Sequence, residues 1–281
     1  MIATGEIDEL RRILGEVREA GGRIGFVPTM GYLHAGHLAL CDAARTQADF
    51  LVVSVFVNPL QFGAGEDLDR YPRDLAQDAQ AAMGRGVNLL FAPTTAAIYP
   101  RGEPAVRVTA PRLADRLCGR QRPGHFEGVL TVVAKLFNLV APDVAVFGRK
   151  DLQQAALIRA MVRDLDFPVE IRVAPIVREA DGLAMSSRNV YLQPAERHAA
   201  TSLYRSLEAA QEVFAAGETG TDGIVRACRS ILEREPGVSV QYVELVDTES
   251  LETPARASRG DAVAVAVHVG GTRLIDNHVL E

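Results

Sequence analysis

Through its first two-thirds the chain alternates short apolar runs with segments of helical character. This alternation limits the fold more than any other feature. The strand candidates are Ile24–Val27, Phe50–Val57, Asn88–Phe91, Val144–Phe147 and Val169–Val173. The helix candidates are Ile7–Ala20, Leu38–Gln47, Leu75–Gly84, Gly128–Val140 and Leu152–Leu165. Short apolar strands interleaved with helices argue for a parallel sheet covered on both faces. Crossovers between parallel strands are right-handed, which makes a doubly wound, Rossmann-like α/β sheet the expected fold. Ligands of such sheets bind at the carboxyl ends of the strands.

Three polar segments follow that rule. Pro28–His37 comes after the first strand, Asn58–Phe62 after the second, and Gly148–Asp151 after Val144–Phe147. If those strands share one sheet, their ends converge on one place. The first segment carries His34 and His37, separated by Ala35 and Gly36, at a strand-to-helix turn. Free N–H groups and the positive end of the helix dipole gather there, which suits a phosphate. Gly31 and Gly36 allow close backbone approach. Two imidazoles can donate to phosphate oxygens without the fixed charge of a lysine. The plainer reading is a polar helix cap beside a glycine turn.

In the third segment, Lys150 can meet phosphate as a compact point charge, and Asp151 can hold Mg²⁺ directly or through water. An ordinary charged surface turn is the alternative. Met185-Ser186-Ser187-Arg188 offers two hydroxyls and a guanidinium, a compact set for phosphate, or simply a helix cap. Gln61 and Gln154 are uncharged amides suited to a small polar substrate, or to solvent. His125 opens the helix leading to the strand at Val144 and is a weaker candidate. His198, His268 and His278 have no supporting pattern.

Past Pro175 the pattern changes to a smaller α+β unit. Pro194–Ala215 and Gly223–Arg234 read as helices; Val238–Val246, Val263–Val269 and Thr272–Asn277 read as strands. The expected division is 1–176 and 177–281. Net charge is −6 with no basic run, which argues against sequence-independent nucleic-acid binding. Cys41, Cys118 and Cys228 are far apart and form no C-x-x-C pair, which suits a reducing cytoplasm rather than a disulfide framework or zinc site. The N-terminus has no apolar signal core, and Phe50–Val57 is too short to span a bilayer. No membrane association is expected.

Five segments together resemble the pantothenate synthetase family: His34-x-Gly36-His37, Phe56-Val57-Asn58-Pro59-Leu60-Gln61-Phe62, Tyr71-Pro72-Arg73, Gly148-x-Lys150-Asp151-x-x-Gln154, and Arg178-Glu179-x-Asp181-Gly182-Leu183-Ala184-Met185-Ser186-Ser187-Arg188-Asn189. They keep the family's order and spacing from about residue 24 to 192. His-x-Gly-His alone marks only the wider nucleotidyltransferase superfamily; the second and fifth segments are more specific. The resemblance implies condensation of (R)-pantoate with β-alanine, using ATP with Mg²⁺, through a pantoyl-adenylate, in a homodimer. It implies an ATP site of Met30, Gly31, Tyr32, Leu33, His34, Ala35, Gly36 and His37, with Gly148, Arg149, Lys150, Asp151, Val177, Met185, Ser186, Ser187 and Arg188. His37 occupies the family's proton-donor position. A carboxylate nucleophile has no proton to lose, so charge stabilisation is the physically preferred role for His34 and His37. Lys150 acts on the phosphates, and Gln61 and Gln154 contact pantoate, with Gln61 beside β-alanine. The smaller unit closes over ATP. One departure stands out: the family usually has Glu where this chain has Arg149.

Other readings stay open at this point. A nucleotidylyltransferase shares the histidine turn but leaves Asn58–Phe62 unexplained. A class I aminoacyl-tRNA synthetase fits poorly with a short acidic chain. A nucleotide-binding regulator without catalysis would not require both histidines and Lys150.

Overall fold

A computed structural model describes residues 1–281. The elements run β1 (Ile2–Thr4), α1 (Ile7–Glu19), β2 (Ile24–Thr29), α2 (Ala35–Arg45), β3 (Phe50–Val55), α3 (Leu75–Met83) and β4 (Leu89–Phe91). Three short helices follow: α4 (Thr95–Ile98), α5 (Pro111–Ala114) and α6 (Leu117–Gln121). Then come α7 (His125–Val140), β5 (Val144–Gly148), α8 (Leu152–Asp164) and β6 (Glu170–Ala174). The remainder is α9 (Pro194–Ala200), α10 (Ser202–Ala215), α11 (Thr221–Arg234), β7 (Val238–Val246), β8 (Ala262–Val269) and β9 (Thr272–Val279).

The first sheet has the order β1-β4-β3-β2-β5-β6, and its pairings are parallel. Leaving β2, the chain builds β3 and β4 on one side; it then crosses back through α7 to place β5 and β6 on the other. The switch point therefore lies between β2 and β5, where Gly25 pairs with Val144 and Phe26 with Ala145. Helices on both faces explain why β2 and β3 are apolar on consecutive residues: Ile24, Phe26, Val27, Leu51, Val52 and Val53 are all fully buried.

The second sheet is antiparallel, ordered β7-β8-β9. Its alternating strands present one face to α10 and α11, where Leu203, Leu207, Ile224, Cys228, Val263, Val265 and Val267 pack together. The other face, with Tyr242, Val246, Ala262, Ala264 and Ala266, joins the large core of the parallel sheet. No helix is long and apolar enough to cross a membrane.

Three features correct the sequence reading. The helix expected over Pro194–Ala215 is two helices broken at Thr201. The helix expected from Leu38 starts at Ala35, so His37 lies inside its first turn. Nothing local in the sequence marks the edge strand β1, because two of its three residues are exposed and three residues carry little periodic signal.

Candidate active site

Strand β2 ends at Thr29, and the chain must turn sharply to enter α2. Gly31 and Tyr32 both take left-handed backbone angles, φ 85° and 53°. Such a turn is strained at a non-glycine residue, and it is held by Asp78 on α3. That carboxylate is 1% exposed and accepts N–H bonds from Tyr32 at 3.0 Å and Leu33 at 2.6 Å. Burial raises the Asp78 pKa, against the lowering effect of those two bonds.

The turn delivers His34 as the N-cap of α2. Its Nδ1 accepts from the Gly36 N–H at 3.1 Å, and His37 Nδ1 accepts from the His34 N–H at 3.4 Å. The histidines thus form a reciprocal capping box, a role usually filled by Ser or Thr with Glu or Gln. A Cβ at Gly36 would stand 2.8 Å from the His34 ring, so only glycine leaves room for this packing. The ring centroids lie 4.1 Å apart.

Burial pushes the His34 pKa down to about 4, with Lys150 adding to the effect. His37 falls to about 3, first by burial and then through His34 and Lys150. Both rings are neutral at pH 7. Since each Nδ1 accepts a bond, the single proton of each ring sits on Nε2. The bonds that begin the helix therefore also set the tautomers and leave two N–H donors.

These rings line a cleft at the carboxyl ends of β2 and β5, the switch point of the sheet. The cleft also gathers Met30, Gly36, Gln61, Gly148, Lys150, Asp151, Gln154, Val177, Met185, Ser186, Ser187 and Arg188. The segments picked out in the sequence thus meet in one place. Gly31, Tyr32, Leu33, Ala35 and Arg149 do not line it. The N–H groups of Tyr32 and Leu33 are turned to Asp78 instead, and Leu33 is buried in a core cluster. Arg149, the departure from the family pattern, is thus kept off the cleft wall.

Gln61 is oriented from both ends. Its Oε1 accepts from Asn58 Nδ2 at 3.1 Å, and its Nε2 stands 3.0 Å from Met30 Sδ. Asn58 is held by Tyr99 Oη at 2.9 Å and donates to the Gly128 carbonyl at 3.1 Å. A Cβ at Gly128 would come within 2.3 Å of the Leu60 carbonyl oxygen, so glycine there lets α7 pack directly on this turn. His125 also reaches the cleft. Its Nδ1 lies 2.8 Å from the Gln61 carbonyl and its Nε2 3.0 Å from Arg122 Nη1. Burial, and then Arg122, lower its pKa to about 4. A neutral ring with N–H on Nδ1 satisfies both contacts.

Arg188 gives Nε and Nη2 to Asp67, both at 2.8 Å, which leaves Nη1 as its free nitrogen. Asp67, Asp78 and Arg122 escaped the sequence reading. Each acts across 45 or more residues on a partner that is itself in a motif, and no local pattern marks them.

Asp151 is the one carboxylate on the cleft wall, and no cluster of three or more His, Cys, Asp or Glu side chains exists to enclose a metal. A single carboxylate oxygen donor fits Mg²⁺, which takes its remaining ligands from substrate phosphates and water. It does not fit a structural zinc site. The lining also includes the apolar side chains of Phe56, Val129, Val132, Val133, Leu136 and Phe147.

Comparison with known proteins points to one family. The family model described as pantoate-beta-alanine ligase matches residues 3–279. A pantothenate synthetase from Thermoanaerobacter is 51% identical over 99% of this chain and 98% of its own length. Pantothenate synthetase 1 from Bradyrhizobium diazoefficiens is 54% identical over 98% and 96%. The crystal structure of the Thermus thermophilus pantothenate synthetase superposes with a TM-score of 0.94 at 48% identity, covering 99% of each chain. A pantoate-beta-alanine ligase from Francisella tularensis, solved in complex with beta-gamma ATP and beta-alanine, gives 0.81 at 33% identity over 99% and 97%.

Proposed function

The chain belongs to the pantoate-beta-alanine ligase family, and we propose that this ligase joins pantoate to β-alanine with ATP in the cleft at the β2–β5 switch point. The observation that carries this reading is the convergence there of two neutral, Nε2-protonated histidines with Lys150, Gln61 and Gln154. The apolar wall beside the two glutamines suits pantoate, a hydroxy acid with a geminal dimethyl group. Gln61 and Gln154 read its polar ends, and the valines of α7 cover its methyls.

A pantoate carboxylate oxygen attacks the α-phosphorus of ATP. The new P–O bond forms as the bond to pyrophosphate breaks, and pantoyl-adenylate results. Negative charge grows on the α-phosphoryl oxygens, and His34 and His37 donate Nε2–H to it. Donors already in place lower the barrier because nothing must reorganise when the charge appears. Lys150 and the free nitrogen of Arg188 meet the departing phosphates, and Ser186 and Ser187 add hydroxyl donors. The β-alanine amine then attacks the acyl carbon, the amine loses a proton, and AMP leaves with the electrons of the acyl–oxygen bond. Gln61, held by Asn58 and Met30, keeps pantoate aligned for this second attack. Asp151 would hold Mg²⁺, which when bound neutralises phosphate charge.

We place the boundary between the catalytic and the smaller unit at 176/177. The smaller unit supplies Val177 and Met185–Arg188 as the wall over ATP. A homodimer in the cytoplasm completes the reading. Three free, buried cysteines agree with a reducing compartment, and sedimentation of the purified protein tests the dimer.

The deciding experiment is product analysis with ATP, Mg²⁺ and pantoate, with and without β-alanine. Pantothenate and AMP should accumulate only with β-alanine, and one burst of pyrophosphate should appear without it. If ATP binds and neither AMP nor pyrophosphate forms, the adenylate route is wrong.

A further inference from the structure

The short turn that carries Lys150 and Asp151 is a single 3₁₀ turn, Arg149–Asp151, between β5 and α8. Two of its carbonyls are also held from the second sheet. Asn277 on β9 donates Nδ2–H bonds to the Arg149 carbonyl at 2.9 Å and the Lys150 carbonyl at 3.0 Å. These carbonyls belong to the two peptide units that flank the Cα of Lys150. Asn277 is 2% exposed, and its Oδ1 has no partner. Turning the amide over would set that oxygen against two carbonyl oxygens, so the donor assignment is forced.

Asn277 is in turn anchored. Its neighbour Asp276, 2% exposed, takes bonds from Arg178 Nη1 at 2.6 Å and Nη2 at 3.1 Å. The Arg178 guanidinium lies over the Tyr204 ring at 4.2 Å. Tyr204, Arg178 and Asp276 therefore fix the end of β9, and Asn277 transmits that fixed position to the phosphate side of the cleft. Asn277 also borders the smaller cavity that shares Lys150, Asp151, Gln154 and Arg188 with the main cleft.

We propose that Asn277 is a positioning residue: through its two bonds to the Arg149 and Lys150 carbonyls it aims Lys150 at the nucleotide phosphates, making the C-terminal sheet part of the catalytic apparatus. This rests on the role given to Lys150 above. Cleft precision of this kind matters because a misplacement near 1 Å costs on the order of 10²-fold in rate.

The test is a double-mutant cycle of Asn277→Ala and Lys150→Ala in the full-length protein. It is read twice: as ATP affinity by calorimetry without pantoate, and as pyrophosphate release in a single turnover with pantoate. In the parent, Asn277→Ala should weaken ATP binding several-fold and slow pyrophosphate release by roughly tenfold or more. On the Lys150→Ala background the same change should alter either readout by less than about twofold, because the group it aims is gone. A merely structural asparagine would cost the same factor in both backgrounds, and that result overturns the proposal. So does an unchanged parent. Should Asn277→Ala fail to fold, Asn277→Ser, which keeps one donor, runs the same cycle. If the parent binds ATP but releases no pyrophosphate, the proposed reaction fails while the affinity cycle still decides the role of Asn277. A Lys150→Ala protein equal to the parent in both readouts removes the role of Lys150, and this one with it.

Discussion

Acid should undo the cap of α2, and the effect can be worked from the two histidines. His34 and His37 accept backbone N–H bonds through Nδ1, which only an unprotonated Nδ1 can do. Their pKa values fall from 6.5 to about 4 and about 3, chiefly by burial. The unfolded chain therefore takes up protons first. The stability these neutral rings hold is fully present above pH 6.5. It is lost as pH falls from 6.5 toward about 4 for His34 and about 3 for His37. Between pH 7.5 and 5.5 each ring loses roughly 1.4 kcal/mol, and the pair about 2–3 kcal/mol once solvent at the cleft mouth is allowed for. That is a large share of a typical folding free energy of about 5–15 kcal/mol. The control is the double variant His34→Asn with His37→Gln. Asparagine is a strong N-cap and glutamine the usual reciprocal partner, so the capping box survives without titrating rings. Urea unfolding at the two pH values should show the parent losing the full amount. The double variant should keep only the loss from other groups, including His125, whose pKa is also lowered to about 4. An undiminished loss in the double variant would falsify the assignment of these rings as neutral caps.

Three further outcomes are expected. His37→Ala removes a donor to the developing phosphoryl charge and should lower the rate of adenylate formation by roughly 10²–10³-fold; near-normal single-turnover pyrophosphate release contradicts that role. Gln61→Ala should raise the KM for pantoate far more than the Kd for ATP, since the oriented amide discriminates the acid, and an unchanged pantoate dependence counts against it. Asp78→Ala leaves the Tyr32 and Leu33 N–H groups without an acceptor and should cost about 2–4 kcal/mol, with slower adenylate formation as the turn before His34 loosens. Thermal unfolding and single-turnover assays check both effects, and a full-strength variant in either refutes the stated role of Asp78.

The readable part of this protein lies where the physics is local. Apolar runs such as Ile24–Val27 and Val144–Phe147 mark strands because both faces of a parallel strand are buried. The histidine turn and the Ser186–Arg188 segment stand out because their chemistry is concentrated in a few consecutive residues. Helix boundaries were less legible: α2 begins three residues early because His34 itself serves as the cap, an unusual choice that propensity does not favour. Thr201 interrupts a run that periodicity alone reads as one helix.

By itself the sequence determined the doubly wound sheet, the family and the segments that carry chemistry, because each follows from the order and spacing of neighbouring residues. Tertiary structure alone decided which members of those segments face the cleft and what holds them there. Tyr32 and Leu33 sit in the motif yet give their N–H groups to Asp78, more than forty residues away. Arg188 is held by Asp67 across 121 residues, and the Lys150 carbonyl by Asn277 across 127. A short-range pattern records what a segment can do, but a buried polar group must find a partner wherever the fold brings one within about 3 Å, and that proximity is set only when distant elements pack.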